Sequence, residues 1–138
     1  MAYKNIFIDS DILLDVFLNR YPYYESSADV LLLSDDSSYT CSTSVHALLN
    51  VHYIARKVFG EKNARKAIKS LTEKLLITTE DINIVDKALE SNFADFEDGV
   101  QYYAAISAEA DVIITRNIKD YKQSTIPVLT AEQFLRTL

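Results

Sequence analysis

A chain of 138 residues, 49% apolar and 25% charged, has the length and composition of one soluble globular domain with a proper core, and a single domain over residues 1–138 is expected. Two glycines and two prolines leave little room for linkers. The apolar runs fall far short of the ~20 residues of a membrane span, and no basic region followed by a long apolar stretch opens the chain. The lone Cys41 excludes an internal disulfide and a cysteine-based zinc site, so a cytoplasmic protein is expected. The net charge of −6 is uneven: residues 56 to 74 hold seven basic side chains against Glu61 and Glu73, a local +5 that leaves −11 elsewhere. Such a face reads as a solvated helix surface or as a contact for phosphates or an acidic partner.

The chain opens with a short apolar strand, Ile6-Phe7-Ile8, followed at once by Asp9 and, two residues later, Asp11. Ile12, Leu13, Val16 and Phe17 then recur at helical spacing, predicting a helix over 11–19. Pro22 opens a second helix with Tyr24, Ala28, Leu31 and Leu32 on its apolar face, broken by residues 34–38. Residues 39–41 read as a strand, and Ser42-Thr43-Ser44 caps a helix over 44–58, with Val45, Leu48, Leu49, Val51, Tyr53 and Ile54 as core positions and Gly60 as its stop. Residues 61–73 form a helix carrying much of the basic cluster, 75–78 a strand, and 79–91 a helix with Ile82, Val85 and Leu89 facing in. A helix over 95–110, a buried strand over 111–115, a short strand over 126–129 and a terminal helix from Thr130 or Ala131 complete the chain. The alternation predicts an α/β fold: a central, mainly parallel sheet of about four to five short strands between helical layers.

In such a sheet, ligands sit beyond the carboxyl ends of the strands. Asp9 stands at such an end, where it is either a metal-holding carboxylate or a helix cap. Polar residues collect at three other ends: His46 and Asn50 one turn apart on a helix, Asp95-Phe96-Glu97-Asp98 at a helix start, and residues 115–121 after the late strand. Asp95 and Asp98 are also a favourable cap and first-turn pair, and Asn117 with Asp120 also reads as a turn.

At these residues the chain resembles the PIN domains, the nuclease fold of the toxin component of many bacterial toxin–antitoxin pairs. Ile8-Asp9-Ser10-Asp11-Ile12-Leu13-Leu14-Asp15 is similar to that family's strand-end motif, residues 95–102 to its acidic helix start, and residues 111–121 to its late strand and acidic turn. The resemblance implies a three-layer PIN-like fold, a metal-dependent endoribonuclease with Mg2+ or Mn2+ as cofactor, an RNA substrate, an antitoxin partner and a homodimer. It implies Asp9 and Asp98 as metal ligands and Asp9, Asn50, Asp98, Asn117 and Asp120 as the catalytic set. Asn50 and Asn117 stand where the family usually has acids; an amide oxygen ligates a hard cation without adding charge. Asp11, Glu97, Asp120 and His46 are available to compensate.

Two alternatives stay open. The two asparagines fit a PIN fold that has weakened in catalysis and binds RNA or protein. Asp9-x-Asp11 also resembles the opening of haloacid-dehalogenase phosphatases, although Leu13 stands where that family has Thr or Val. The early aromatic residues Phe17, Tyr21, Tyr23 and Tyr24 are candidate interface residues or core.

Overall fold

The computed structural model describes residues 3–138. Five parallel strands form one sheet in the order β3-β2-β1-β4-β5, with β1 (Asn5–Ile8) in the centre, β2 (Thr40–Ser44) and β3 (Leu76–Thr78) to one side, and β4 (Val112–Ile114) and β5 (Val128–Leu129) to the other. Every apolar residue of β1 and β4 is fully buried, because helices cover both faces. Side chains alternate across the sheet. Ile6, Ile8, Val112 and Ile114 therefore enter one core with α1 (Ser10–Phe17), α2 (Tyr24–Leu32), α3 (Val45–Phe59), α4 (Glu61–Lys74) and α7 (Ala131–Leu135). Phe7 and Ile113 enter the other, against Tyr102 and Ala105 of α6 (Phe96–Ser107); α5 (Ile82–Glu90) packs on α6.

Because all strands run the same way, their carboxyl ends share one edge. The chain leaves β1 toward β2 on one side and returns beside β1 as β4 on the other. This reversal at β1 is the crevice where an open α/β sheet places a ligand.

Several local expectations are corrected. The second strand runs on through Ser44 instead of ending at Cys41. Its buried hydroxyls have partners, Thr43 donating to the Ile8 carbonyl of β1 at 2.7 Å and Ser44 to the Gln101 side chain, so a polar run is stable inside the sheet. Helix α2 starts at Tyr24, after a cis Tyr21–Pro22 bond, and buries Ser27, Val30 and Leu31 while Leu32 is exposed. Leu49, Tyr53 and Val45 of α3 are exposed as well. Helix α5 starts at Ile82, capped by Asp81, and its phase is turned from the expected one: Ile84 and Ala88 are buried while Ile82 and Leu89 face solvent. Ala88 sits so close to Gly99 of α6 that a Cβ there would lie 3.3 Å from the alanine methyl; this close approach sets the rotation of α5. Gly60, at φ +84°, ends α3 as expected, in a conformation that glycine adopts at little cost.

Candidate active site

The carboxyl ends of β1, β2 and β4 meet the amino ends of α1, α3 and α6 around a cavity of about 210 Å³. Asp9, Asp11, Asn50, Asp98, Asn117 and Asp120 all line it, with His46 and Glu97 at its side. The five residues of the expected catalytic set, drawn from four separate stretches of chain, thus share one space.

Asp9 is anchored from both sides. Its backbone N–H extends the sheet by donating to the Ile114 carbonyl at 3.0 Å. Its side chain caps α1 through the Ser10 N–H at 2.7 Å, so the cap reading and the cavity position hold together. Oδ1 also faces the Gln101 amide at 3.3 Å, and Oδ2 faces the Thr115 hydroxyl at 2.9 Å and the Tyr121 hydroxyl at 3.1 Å. Gln101 is oriented by Ser44, whose hydroxyl donates to its Oε1. Burial, then the charge of Asp9, raise the Tyr121 phenol far above its usual range, so it stays a donor. Four donors on two carboxylate oxygens fill the lone pairs available. A cation on Asp9 must share or displace one of them.

Asp11 is placed differently. Oδ2 accepts from the Arg116 N–H at 2.9 Å and faces Asn117 Nδ2 at 3.3 Å, while Oδ1 is buried without a partner. Burial foremost, then the Asp9 charge, push this carboxyl up to about 7. Asp98 lies in the first turn of α6, its N–H taken by the Asp95 cap at 3.1 Å. Burial, then Asp120, Asp95, Asp9 and Glu97 in that order, push its carboxyl up to about 6. Asp9 and Asp98 are close enough for their charges to couple, although 89 positions separate them in sequence.

Asn50 donates to the Ser10 hydroxyl at 2.9 Å, which fixes its amide across α1 and α3. His46 Nε2 is 3.9 Å from Glu97 Oε2, and its backbone N–H donates to Glu80 at 2.9 Å. Ser10, Gln101, Thr115, Tyr121 and Glu80 were not singled out in the sequence. The signals for them were the strand-end motif that includes Ser10 and the polar stretch 115–121 that includes Thr115 and Tyr121.

The basic segment does not reach this cavity: none of residues 56–74 lines it. Part of its charge is neutralised at Glu61, which meets Arg65 at 2.6 Å and Arg56 at 4.0 Å.

Among the described residues, no three His, Cys, Asp or Glu side chains are gathered tightly enough to enclose a metal ion by themselves. Mg2+, however, keeps several waters and takes one or two carboxylates together with substrate oxygens. Two raised carboxylates in one cavity, one of them with a buried, unpartnered oxygen, fit a hard, partly hydrated divalent cation.

The comparisons agree with this architecture. Ribonuclease VapC1 of Aquifex aeolicus is 29% identical over 139 residues, spanning 97% of this chain and 95% of its own. A toxin–antitoxin complex from Klebsiella pneumoniae contains a chain of the same fold, with TM-score 0.68 and 22% identity, over 91% of this chain and 97% of that one. Mycobacterium tuberculosis VapC20, described as a sarcin–ricin-loop-cleaving toxin, superposes with TM-score 0.62 at 12% identity over 78% and 86% of the two chains. The PIN-domain sequence profile matches residues 5–119, most of the chain, and with the sheet order and the acidic cavity at β1 already in place, the protein belongs to the PIN-domain family.

Proposed function

We propose that the protein is a metal-dependent endoribonuclease and the toxin of a toxin–antitoxin pair. The observation that carries the reading is the convergence of Asp9, Asp11, Asp98 and Asp120 on one cavity, with one oxygen of Asp11 buried and without a partner. Uncompensated negative charge at that density is costly unless a cation answers it. The likeness to Ribonuclease VapC1 supports RNA as substrate, and the toxin–antitoxin complexes among the structural relatives support an antitoxin partner.

Asp9 and Asp98 would hold Mg2+ or Mn2+, with Asp120 and Asp11 adding charge beside them. A bound cation of this kind lowers the pKa of water and offsets charge on the phosphate. The chain supplies orientation: four donors keep Asp9 from rotating, and Asn50 and Asn117 line the cavity as neutral hydrogen-bonding groups. With amides at those two positions the negative charge rests on Asp9, Asp11, Glu97, Asp98 and Asp120. Exposed Tyr21 and Tyr24, at 93% and 38%, fit a homodimer contact.

The deciding experiment is cleavage of a structured RNA. Wild-type protein cuts with Mg2+ or Mn2+, cutting stops in EDTA, and Asp98→Asn reduces the rate at least ~100-fold, the scale of losing a group that acts on the reacting centre. Equal cutting without metal rejects the reading.

One observation favours a second reading, a binding module weakened in catalysis: both oxygens of Asp9 are already engaged by donors. Calorimetry separates the two. Submillimolar Mn2+ binding that Asp98→Asn removes supports the enzyme, and no binding supports the module.

A further inference from the structure

We propose that the acidic cavity is the middle of a longer trough, and that the arm built by Lys119 and Lys122 is the subsite that grips a single RNA strand beside the cutting position. This rests on the nuclease reading above for its substrate class.

Two grooves adjoin the cavity. One, of about 350 Å³, shares Asp98 and Asp120 with it and adds Asn92, Phe93, Lys119 and Lys122. The other, of about 280 Å³, shares Asn117 and adds Tyr23, Ser26, Arg116 and Glu132. A strand crossing the cavity has a groove at each end.

The two arms differ in the charge they offer. Arg116 is already committed: its Nε and Nη2 grip Asp15 at 3.0 and 2.9 Å, and its guanidinium lies 4.1 Å from the Tyr23 ring centre. Glu132 further cancels that arm. In the other arm, Lys119 and Lys122 form no ion pair among the described residues, although Asp95, Asp98 and Asp120 line the same groove. They are the cations beside the cavity that a phosphate can claim.

Their placement is not incidental. Both sit on the short 3-10 turn Ile118–Tyr121 and its cap, the turn that carries Asp120 to the cavity. Tyr121, between them, is buried and bonded to Asp9. The same turn therefore ties the lysine backbone to the carboxylate at the site. Phe93, which lines the same groove, is braced by Tyr102 and Tyr103, with ring centres 5.1 and 6.5 Å away, and gives the groove a fixed aromatic ring. Cations that track the backbone beside a ring that stacks a base are the elements of sequence-tolerant single-strand binding.

The test uses a fluorescently labelled single-stranded RNA dodecamer titrated by anisotropy in the Asp98→Asn background, which keeps the strand intact under the nuclease reading. Adding Lys119→Gln and Lys122→Gln weakens binding about tenfold at low salt and lowers the slope of log K against log salt by about 1.4, the value for two phosphates of a single strand. Lys62→Gln with Lys66→Gln, exposed cations on α4 outside the trough, removes the same net charge and leaves both quantities in place. Equal effects from the two pairs, or none from Lys119 and Lys122, overturn the subsite. Metal-dependent cutting by the wild type without a lysine effect removes this inference alone. A lysine effect without cutting removes the nuclease reading and keeps the strand-binding arm.

Discussion

Asp11 and Asp15 stand one turn apart on α1, and the protein treats them in opposite ways. Asp15 is fully buried and fully answered: Arg116 grips it with two nitrogens, Ser27 donates at 3.1 Å, and Arg20 approaches to 3.7 Å. Asp11 is only half-buried, and one oxygen carries the donors while the other, itself buried, has none. The first is a buried charge with its counter-ion built in. The second is a half-buried carboxyl without a counter-ion, lining a cavity that already holds Asp9, Asp98 and Asp120. Arg116 links them, its backbone N–H on Asp11 and its side chain on Asp15, so the paired carboxylate fixes the loop that shapes the open one. The contrast separates an acid that holds the fold from one that waits for a ligand.

The largest expected effect breaks the closed pair. Removing one partner of a buried ion pair leaves an uncompensated charge and costs about 3–5 kcal/mol. Arg116→Met is expected near the lower end of that range, because Arg20 and Ser27 remain on Asp15. Urea denaturation measures it. A loss below about 1 kcal/mol, the scale of an exposed ion pair, removes the contrast.

The second effect reads the open carboxylate through pH in metal-free protein. Asp11 is raised to about 7 from an ordinary 3.8, so between those values the folded state keeps a proton that the unfolded chain has released. Its contribution is fully present below pH ~4 and is lost as pH rises through ~7. Asp11→Asn cannot lose it. The stability of the variant relative to wild type therefore climbs from pH 5 to pH 8 by on the order of 2 kcal/mol. Urea midpoints for both proteins in EDTA check this, and parallel pH curves contradict it. Saturating Mn2+ shrinks the difference, because a bound cation favours the ionised form.

The frame of this arrangement was readable before the structure, and the contrast was not. An apolar run ending in Asp9 marks a strand end, and Asp95 three residues before Asp98 marks a helix start; both signals are local and both elements are present. The four donors around Asp9 come from α1, α6, the end of β4 and the turn after it; Thr115 and Tyr121 are marked only by lying in the polar stretch 115–121, and nothing local marks Gln101 as a donor to Asp9. The facing of α5 follows from the Ala88–Gly99 approach, a tertiary contact that overrides the periodicity of Ile82, Val85 and Leu89. The densest run of basic residues drew attention to α4, whereas the lysines beside the cavity are two isolated ones on the turn that carries Asp120. Charge density along the chain is a poor guide to charge density around a site.

The smallest effect sharpens the contrast by making the open region more open. Asn50 faces the cavity and donates to the Ser10 hydroxyl. Asn50→Glu replaces that donor with a sixth acidic side chain beside Asp9, Asp11, Glu97, Asp98 and Asp120. Without metal the added repulsion and the lost hydrogen bond lower stability by about 1 kcal/mol. With metal the sign reverses, since the new carboxylate adds charge where a cation is held: Mn2+ affinity rises about tenfold, or about 1.4 kcal/mol. Calorimetry and urea unfolding on the same preparation read both changes. Opposite signs are the signature of a cavity shaped for a cation, and a loss in both quantities shows that Asn50 is there for its hydrogen bond to Ser10.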